Sequence, residues 1–161
     1  MTLTIRPARP GDAALILRLV HELAEYEKLT HEVLATEELI DAALFGPSPR
    51  VFCEISEWDG EPVGQALWYY TFSTFTGRGG LYLEDLYVRP EARGKGIGKA
   101  LLIHLARRCV DENLTRFEWS VLDWNTPSIE FYKSQGAVMT DGWTGCRVSG
   151  EALNRLAEKG A

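Results

Sequence analysis

The chain has too few cysteines for a disulfide framework and no apolar run long enough to cross a membrane. Its three cysteines, Cys53, Cys109 and Cys146, are an odd number at wide spacing, which suggests neither paired bridges nor a zinc cluster and leaves buried free thiols as the expected state. His21, His31 and His104 show no metal-site or triad spacing, so no metal is expected. Charge interrupts every apolar stretch well short of the ~18 residues that a span requires. Met1 leads directly into a strand pattern without an apolar leader, and a cytoplasmic protein without a membrane partner is expected. Basic charge is also in deficit. A net charge of −6 lacks the basic face of nucleic-acid-binding proteins, and no nucleic-acid partner is expected. No linker or repeat divides the chain, so residues 1–161 read as one domain, and 45% hydrophobic residues can build its core.

What is present alternates. Leu3 to Arg6 reads as a strand, and Gly11 and Asp12 open a helix with Leu15, Ile16, Leu19, Val20 and Leu23 at helical spacing. Thr36 caps a second helix. Val51 to Trp58 alternates, Asp59 and Gly60 mark a hairpin turn, and Val63 to Phe72 and Leu81 to Val88 follow as strands. A helix from Ile97 carries Leu101, Leu105 and Cys109 on one face. Phe117 to Leu122 reads as a strand, Thr126 and Pro127 start a helix that stops before Gly136, and Val138 to Val148 suits a final turn and strand pair. This order predicts an α/β (α+β) sandwich with a mixed, mostly antiparallel sheet flanked by helices.

The sharpest local signal is the glycine turn Arg93, Gly94, Lys95, Gly96, Ile97, Gly98, between a strand and a helix start. Glycines let a ligand approach the backbone N–H groups, the helix N-terminus adds partial positive charge, and Arg93, Lys95 and Lys99 add full charges. A pyrophosphate suits such a turn. The spacing excludes a dinucleotide fingerprint, because Lys99 or Leu101 stands where the third glycine is needed. It excludes a P-loop because Ala100 follows Lys99 where a hydroxyl is required.

The remaining pattern, [RQ]-x-x-G-x-[GA] at Arg93, Gly96 and Gly98, resembles the acetyl-CoA pyrophosphate loop of the GNAT superfamily of N-acetyltransferases. Two segments extend the resemblance in the superfamily's order. Leu81 to Val88 looks like the strand leading into the loop, and Asn125, Ser128, Phe131 and Tyr132 match the later N-x-x-[SA]-x-x-[FL]-Y helix. Leu23 to Glu27 together with Tyr82, Leu83, Glu84 and Asp85 resembles the diamine (spermidine/spermine) N-acetyltransferase branch.

The resemblance implies a fold, a cofactor and roles. Strands 81–88 and 117–122 would splay apart, and Leu86, Tyr87 and Val88 would meet the pantetheine arm of acetyl-CoA, with the N–H of Leu86 polarising the thioester carbonyl. Asn125, Pro127 and Ser128 would be further cofactor contacts. Tyr132 would be the acid for the leaving thiolate, and Glu84 the base, acting through water or by holding the cation. Asp85 should face the other way by strand alternation unless a bulge intervenes. Between Glu22 and Glu38 stand six glutamates against one lysine, Lys28, most of them a solvated helix face. Tyr26 and Glu27 would meet the far end of a small cationic amine, and Glu118, Trp119 and Ser120 fall at further substrate positions. The implied activity is acetylation of a diamine or polyamine by a homodimer. The alternatives are a lysine-like acceptor such as thialysine or a protein amine, and a non-catalytic CoA-binding module.

Overall fold

A computed structural model describes residues 1–159. They fall into two compact units, Met1–Asn125 and the remainder from Thr126.

The first unit holds a five-stranded sheet in the order of the chain. Its strands are β1 (Leu3–Pro7), β2 (Phe52–Trp58), β3 (Glu61–Ser73), β4 (Arg78–Val88) and β5 (Phe117–Trp119), and its helices are α1 (Ala13–Glu27), α2 (Glu37–Phe45) and α3 (Ile97–Asp111). Neighbours pair antiparallel from β1 to β4, and β5 joins β4 in parallel. The mixed, mostly antiparallel architecture expected from the alternation of elements is therefore what forms. The β2–β3 hairpin turns at Asp59 and Gly60, both at positive φ (52° and 87°), as a tight primed turn requires. Thr36 Oγ1 accepts from Leu39 N (3.3 Å) and caps α2.

The two faces of the sheet differ. Ile16 of α1 and Leu44 of α2 pack with Cys53, Ile55 and Leu67 into an apolar cluster, and full burial of a side chain such as Ile16 stabilises by roughly 2 kcal/mol. Alternation sends Glu54 and Trp68 to the opposite face. There α3 covers them: the Arg108 guanidinium lies 4.9 Å from the Trp68 ring, and Arg108 and His104 approach the buried Glu54 carboxylate at 3.6 and 3.5 Å. Leu101, Leu105 and Cys109 are buried along α3 as their spacing predicts.

α1 ends unusually. Leu29 N bonds Ala24 O (2.8 Å) and Lys28 N bonds Glu25 O (3.1 Å), the paired closure that places one residue in the left-handed region. Lys28 occupies that place, at φ 61°, where glycine is the usual choice. Near the same helix end, Glu22 binds Arg89 through Nε and Nη2 (3.0 and 2.8 Å), fastening α1 to the chain just beyond β4.

The second unit contains α4 (Thr126–Ser134) and α5 (Gly150–Glu158). Here the sequence reading needs correction. No strand forms between Val138 and Val148 among the described residues; Val138 and Trp143 are exposed and Gly142 sits at φ 78°, so the alternation is not matched by a buried face. α5 follows instead. Cys53 and Cys109 are buried thiols, but Cys146 is exposed, because it lies in this irregular stretch and no element turns it into a core. In the first unit β5 stops at Trp119 and does not reach Leu122. The reason lies in β4.

Candidate active site

β4 carries a one-residue insertion in its pairing. Leu67 of β3 faces Asp85 and Trp68 faces Leu83, so Glu84 has no partner across the ladder. A bulge of this kind bends the strand and raises its twist. The parallel ladder to β5 ends just before it, at Leu83 and Trp119. From Glu84 to Val88, β4 therefore has no strand on its β5 side, while Leu86, Tyr87 and Val88 remain fixed through Ala66, Gln65 and Gly64 of β3. Pairing thus stops where the two strands were expected to splay, and the edge from Glu84 to Val88 has no strand partner on that side among the described residues, a geometry that suits an extended ligand.

The edge leads into the glycine turn. Gly96 is the N-cap of α3 at φ 78°, and no side chain caps the helix. The first intrahelical bond runs from Ala100 N to Gly96 O (2.9 Å), so the N–H groups of Ile97, Gly98 and Lys99 precede it. Gly94 also has positive φ (75°), and a Cβ on either glycine would meet no atom within 4 Å. The turn thus presents open space above an uncapped helix start, in a backbone geometry that other residues resist. Ile97 is buried and anchors the helix from below. Lys95 Nζ lies 5.1 Å from the Trp58 ring, and Lys99 is exposed beside it. Arg93 is held more firmly: Nε donates to Val88 O (2.8 Å) and its guanidinium carbon lies 5.0 Å from the Tyr26 ring and 5.8 Å from that of Tyr87. Donors, helix dipole and cations fit a pyrophosphate.

Beside this edge is a concentration of negative charge. Asp85 is largely buried, and burial, with the charges of Glu84 and Glu27, pushes its carboxyl up to about 6. Glu27, half-buried at the end of α1, is also raised by burial. Glu84 is exposed. The sequence names Glu84 as the candidate base and expects Asp85 on the opposite face unless a bulge intervenes; the bulge is present, and Asp85 is the carboxyl raised by burial to about 6.

Residues 16–137 match the model of the Acetyltransferase (GNAT) family. The chain belongs to this family. GNAT enzymes use acetyl-CoA as acyl donor, and this chain is an acetyltransferase that takes acetyl-CoA and an amine. It is similar to thialysine N-epsilon-acetyltransferase from Sus scrofa, at 43% identity covering 96% of this chain and 97% of that protein. It is also similar to the spermidine/spermine N(1)-acetyltransferase-like protein 1 of Homo sapiens, at 35% identity over 95% of this chain and 23% of that protein. Among solved structures, an integron cassette protein from the mobile metagenome of V. cholerae superposes with TM-score 0.81 at 28% identity, covering 98% of this chain and 99% of that one. The GNAT fold is thereby established.

The other positions expected of a GNAT site have definite surroundings. Tyr26 is partly exposed, and its hydroxyl donates to Asn125 Oδ1 (3.1 Å) while its ring stands 6.1 Å from that of Trp124. Asn125 is buried. Glu118 is exposed with Arg116 at 3.8 Å, and the Trp119 ring meets Phe117 edge-on at 5.0 Å. Ser120, beyond the end of β5, shares a hydrogen bond of 2.8 Å with the Tyr82 hydroxyl. In the second unit Pro127 and Ser128 lie in the first turn of α4, and Tyr132 is buried on the same helix with its ring 5.4 Å from Phe131. Lys28, which the sequence marks only as the lone lysine of an acidic stretch and gives no role, has its Nζ 5.5 Å from the Trp124 ring.

Proposed function

We propose that this enzyme transfers an acetyl group from acetyl-CoA to the side-chain amine of a lysine-like amino acid such as thialysine. The carrying observation is the grouping of Glu27, Glu84 and Asp85, with Asp85 pushed up to about 6, against the unpaired edge of β4. The 43% identity to a thialysine acetyltransferase over nearly the whole of both chains supports the acceptor. Such an acceptor brings two ammonium groups, and the acidic grouping suits both.

Acetyl-CoA supplies the thioester carbonyl that the amine attacks. The chain's own residues do the rest. The N–H groups of Ile97, Gly98 and Lys99, with Arg93 and Lys95, would hold the pyrophosphate; Gly94 and Gly96 keep its approach clear. Leu86, Tyr87 and Val88 would align the arm along β4, and the Leu86 N–H would polarise the carbonyl. Asp85 takes the proton from the amine nitrogen, since an amine near ~10.4 is nearly all protonated at neutral pH. Glu84 and Glu27 hold cationic groups. Tyr132 donates from its phenol to the departing sulfur, the role its place in the N-x-x-[SA]-x-x-[FL]-Y pattern gives it, with Asn125, Pro127 and Ser128 as the remaining cofactor contacts.

The 35% identity to a spermidine/spermine acetyltransferase-like protein favours a second reading, a diamine or polyamine acceptor. An assay with acetyl-CoA and thialysine, lysine, putrescine, spermidine or a lysine peptide distinguishes the two. Highest kcat/KM for thialysine is the expected result. Highest kcat/KM for a polyamine would return the reading to a dication acceptor, and no turnover with any amine would overturn both.

A further inference from the structure

We infer that Lys28 is the specificity residue that reads the carboxylate of an amino-acid acceptor and rejects diamines; this rests on the acceptor reading above. The observation is a cation held in an unfavourable place. Lys28 closes α1 in the left-handed region at φ 61°, where a side chain is strained and glycine is not. Backbone strain of this sort persists where something else requires the residue. The backbone bonds that close the helix use only the N–H groups of Lys28 and Leu29, so glycine would serve the fold at least as well.

The side chain is also unspent. Among the described residues Lys28 has no ion pair with any carboxylate of the chain, although it adjoins Glu27 in an acidic protein. Its ammonium rests instead on the Trp124 ring at 5.5 Å, and that ring is in turn beside Tyr26. A cation–π contact positions an ammonium group without neutralising it. Lys28 therefore presents an uncompensated positive charge one residue from Glu27, whose carboxyl acts on Asp85.

An amino acid with a side-chain amine carries three charges, and the arrangement has a complement for each. The carboxylates of Asp85 and Glu84 face the reacting amine, Glu27 faces the second ammonium, and Lys28 faces the carboxylate. A diamine of the same length lacks the negative group and would bring its distal ammonium toward Lys28, where like charges repel. The same residue thus attracts one acceptor class and disfavours the other.

The test compares thialysine with its decarboxylated counterpart, bis(2-aminoethyl) sulfide, in the full chain with saturating acetyl-CoA. Wild type, Lys28→Gly, Lys28→Gln and Lys28→Arg are assayed together. Lys28→Gly and Lys28→Gln should raise the KM for thialysine roughly fivefold to tenfold with little change in kcat, as loss of one charge-assisted contact implies. Their KM for the diamine should stay level or fall, and Lys28→Arg should keep the wild-type preference. Lys28→Gly should hold or raise the melting temperature, which separates lost recognition from lost folding. Equal KM shifts for both acceptors, or none, would overturn the assignment while leaving the acceptor reading intact. If wild-type enzyme prefers the diamine, or acetylates neither compound, the acceptor reading fails and the role of Lys28 fails with it.

Discussion

Asp12 and Asp85 are aspartates sheltered from solvent in the same unit, and their surroundings push them in opposite directions. Asp12 accepts from Arg6 Nη1 (2.8 Å) and Nη2 (3.3 Å) and from Arg9 N (2.7 Å), and the hydrogen bonds from Arg6 hold it below the ordinary carboxylate value. Asp85 is raised to about 6, first by burial and then by the charges of Glu84 and Glu27. One site satisfies its charge; the other accumulates charge that a cationic ligand would neutralise. The compensated carboxylate serves the fold, and the proposed role of Asp85 rests on its lack of such compensation beside an open strand edge.

The sharpest break in that comparison is Asp85→Asn. It should lower kcat/KM by ~10² to ~10⁴, the usual contribution of a general base, while Asp12→Asn leaves turnover of the folded enzyme nearly unchanged. Steady-state kinetics on both variants is the check, and equal losses would remove Asp85 from proton transfer. Wild-type kcat/KM should fall as pH drops through about 6, the value to which Asp85 is raised, and the Asp85→Asn profile should lack that limb.

Stability should run the other way. Because the folded chain holds a proton on Asp85 more tightly than the unfolded chain does, the stability contributed by that site is full below the unfolded value and is lost as pH rises to about 6. Asp85→Asn should therefore raise stability at pH 7, by up to about 3 kcal/mol for a shift of this size. Asp12 follows the opposite rule: it stabilises above its unfolded value and ceases to do so as pH falls through its lowered folded value. Asp12→Asn should cost about 2 kcal/mol at neutral pH, with Arg6 still bound to Glu57 (2.7 Å). Urea melts of the two variants at pH 7 give the signs directly, and a shared sign would undo the contrast.

The smallest expected effect sharpens a neighbouring boundary. The Tyr26 ring supports Arg93, so Tyr26→Ala should raise the KM for acetyl-CoA by roughly fivefold, a cation–π contribution near the surface, and Tyr26→Phe should retain most of the affinity. A shift confined to the amine KM would return Tyr26 to the acceptor side alone.

Much of this is legible in the sequence itself. The helical spacing of Ile16 and Leu19, the Thr36 cap, the Asp59 and Gly60 turn and the glycine loop each carry local chemistry that survives into the fold. The facing of Asp85 was legible only as a condition, since it hung on whether a bulge intervened. Strand alternation assumes an unbroken ladder, and the insertion at Glu84 exists only in relation to the register of β3, which no local pattern encodes. The end of β5 at Trp119 follows from the same bulge and was hidden with it. The C-terminal stretch failed for another reason: Val138 to Val148 alternates like a strand without forming one, and α5 beyond it, a nine-residue helix like α2 and α4, opens without the side-chain cap that Thr36 gives α2 or the Thr126 and Pro127 start that marks α4. Lys28 was visible only as composition until the closure of α1 gave it a conformation.

The bulge at Glu84 adds one residue to β4 that has no counterpart on β3. Deleting that residue would leave Asp85, Leu86, Tyr87 and Val88 opposite the same β3 partners and close the ladder into an unbroken run, so the change would fall on the bend and twist of the strand and not on its register. The parallel pairing to β5, which stops at Leu83 and Trp119, would then meet a straight strand along which to continue. A single codon thus separates a strand edge that stays open from one that the sheet can close upon itself.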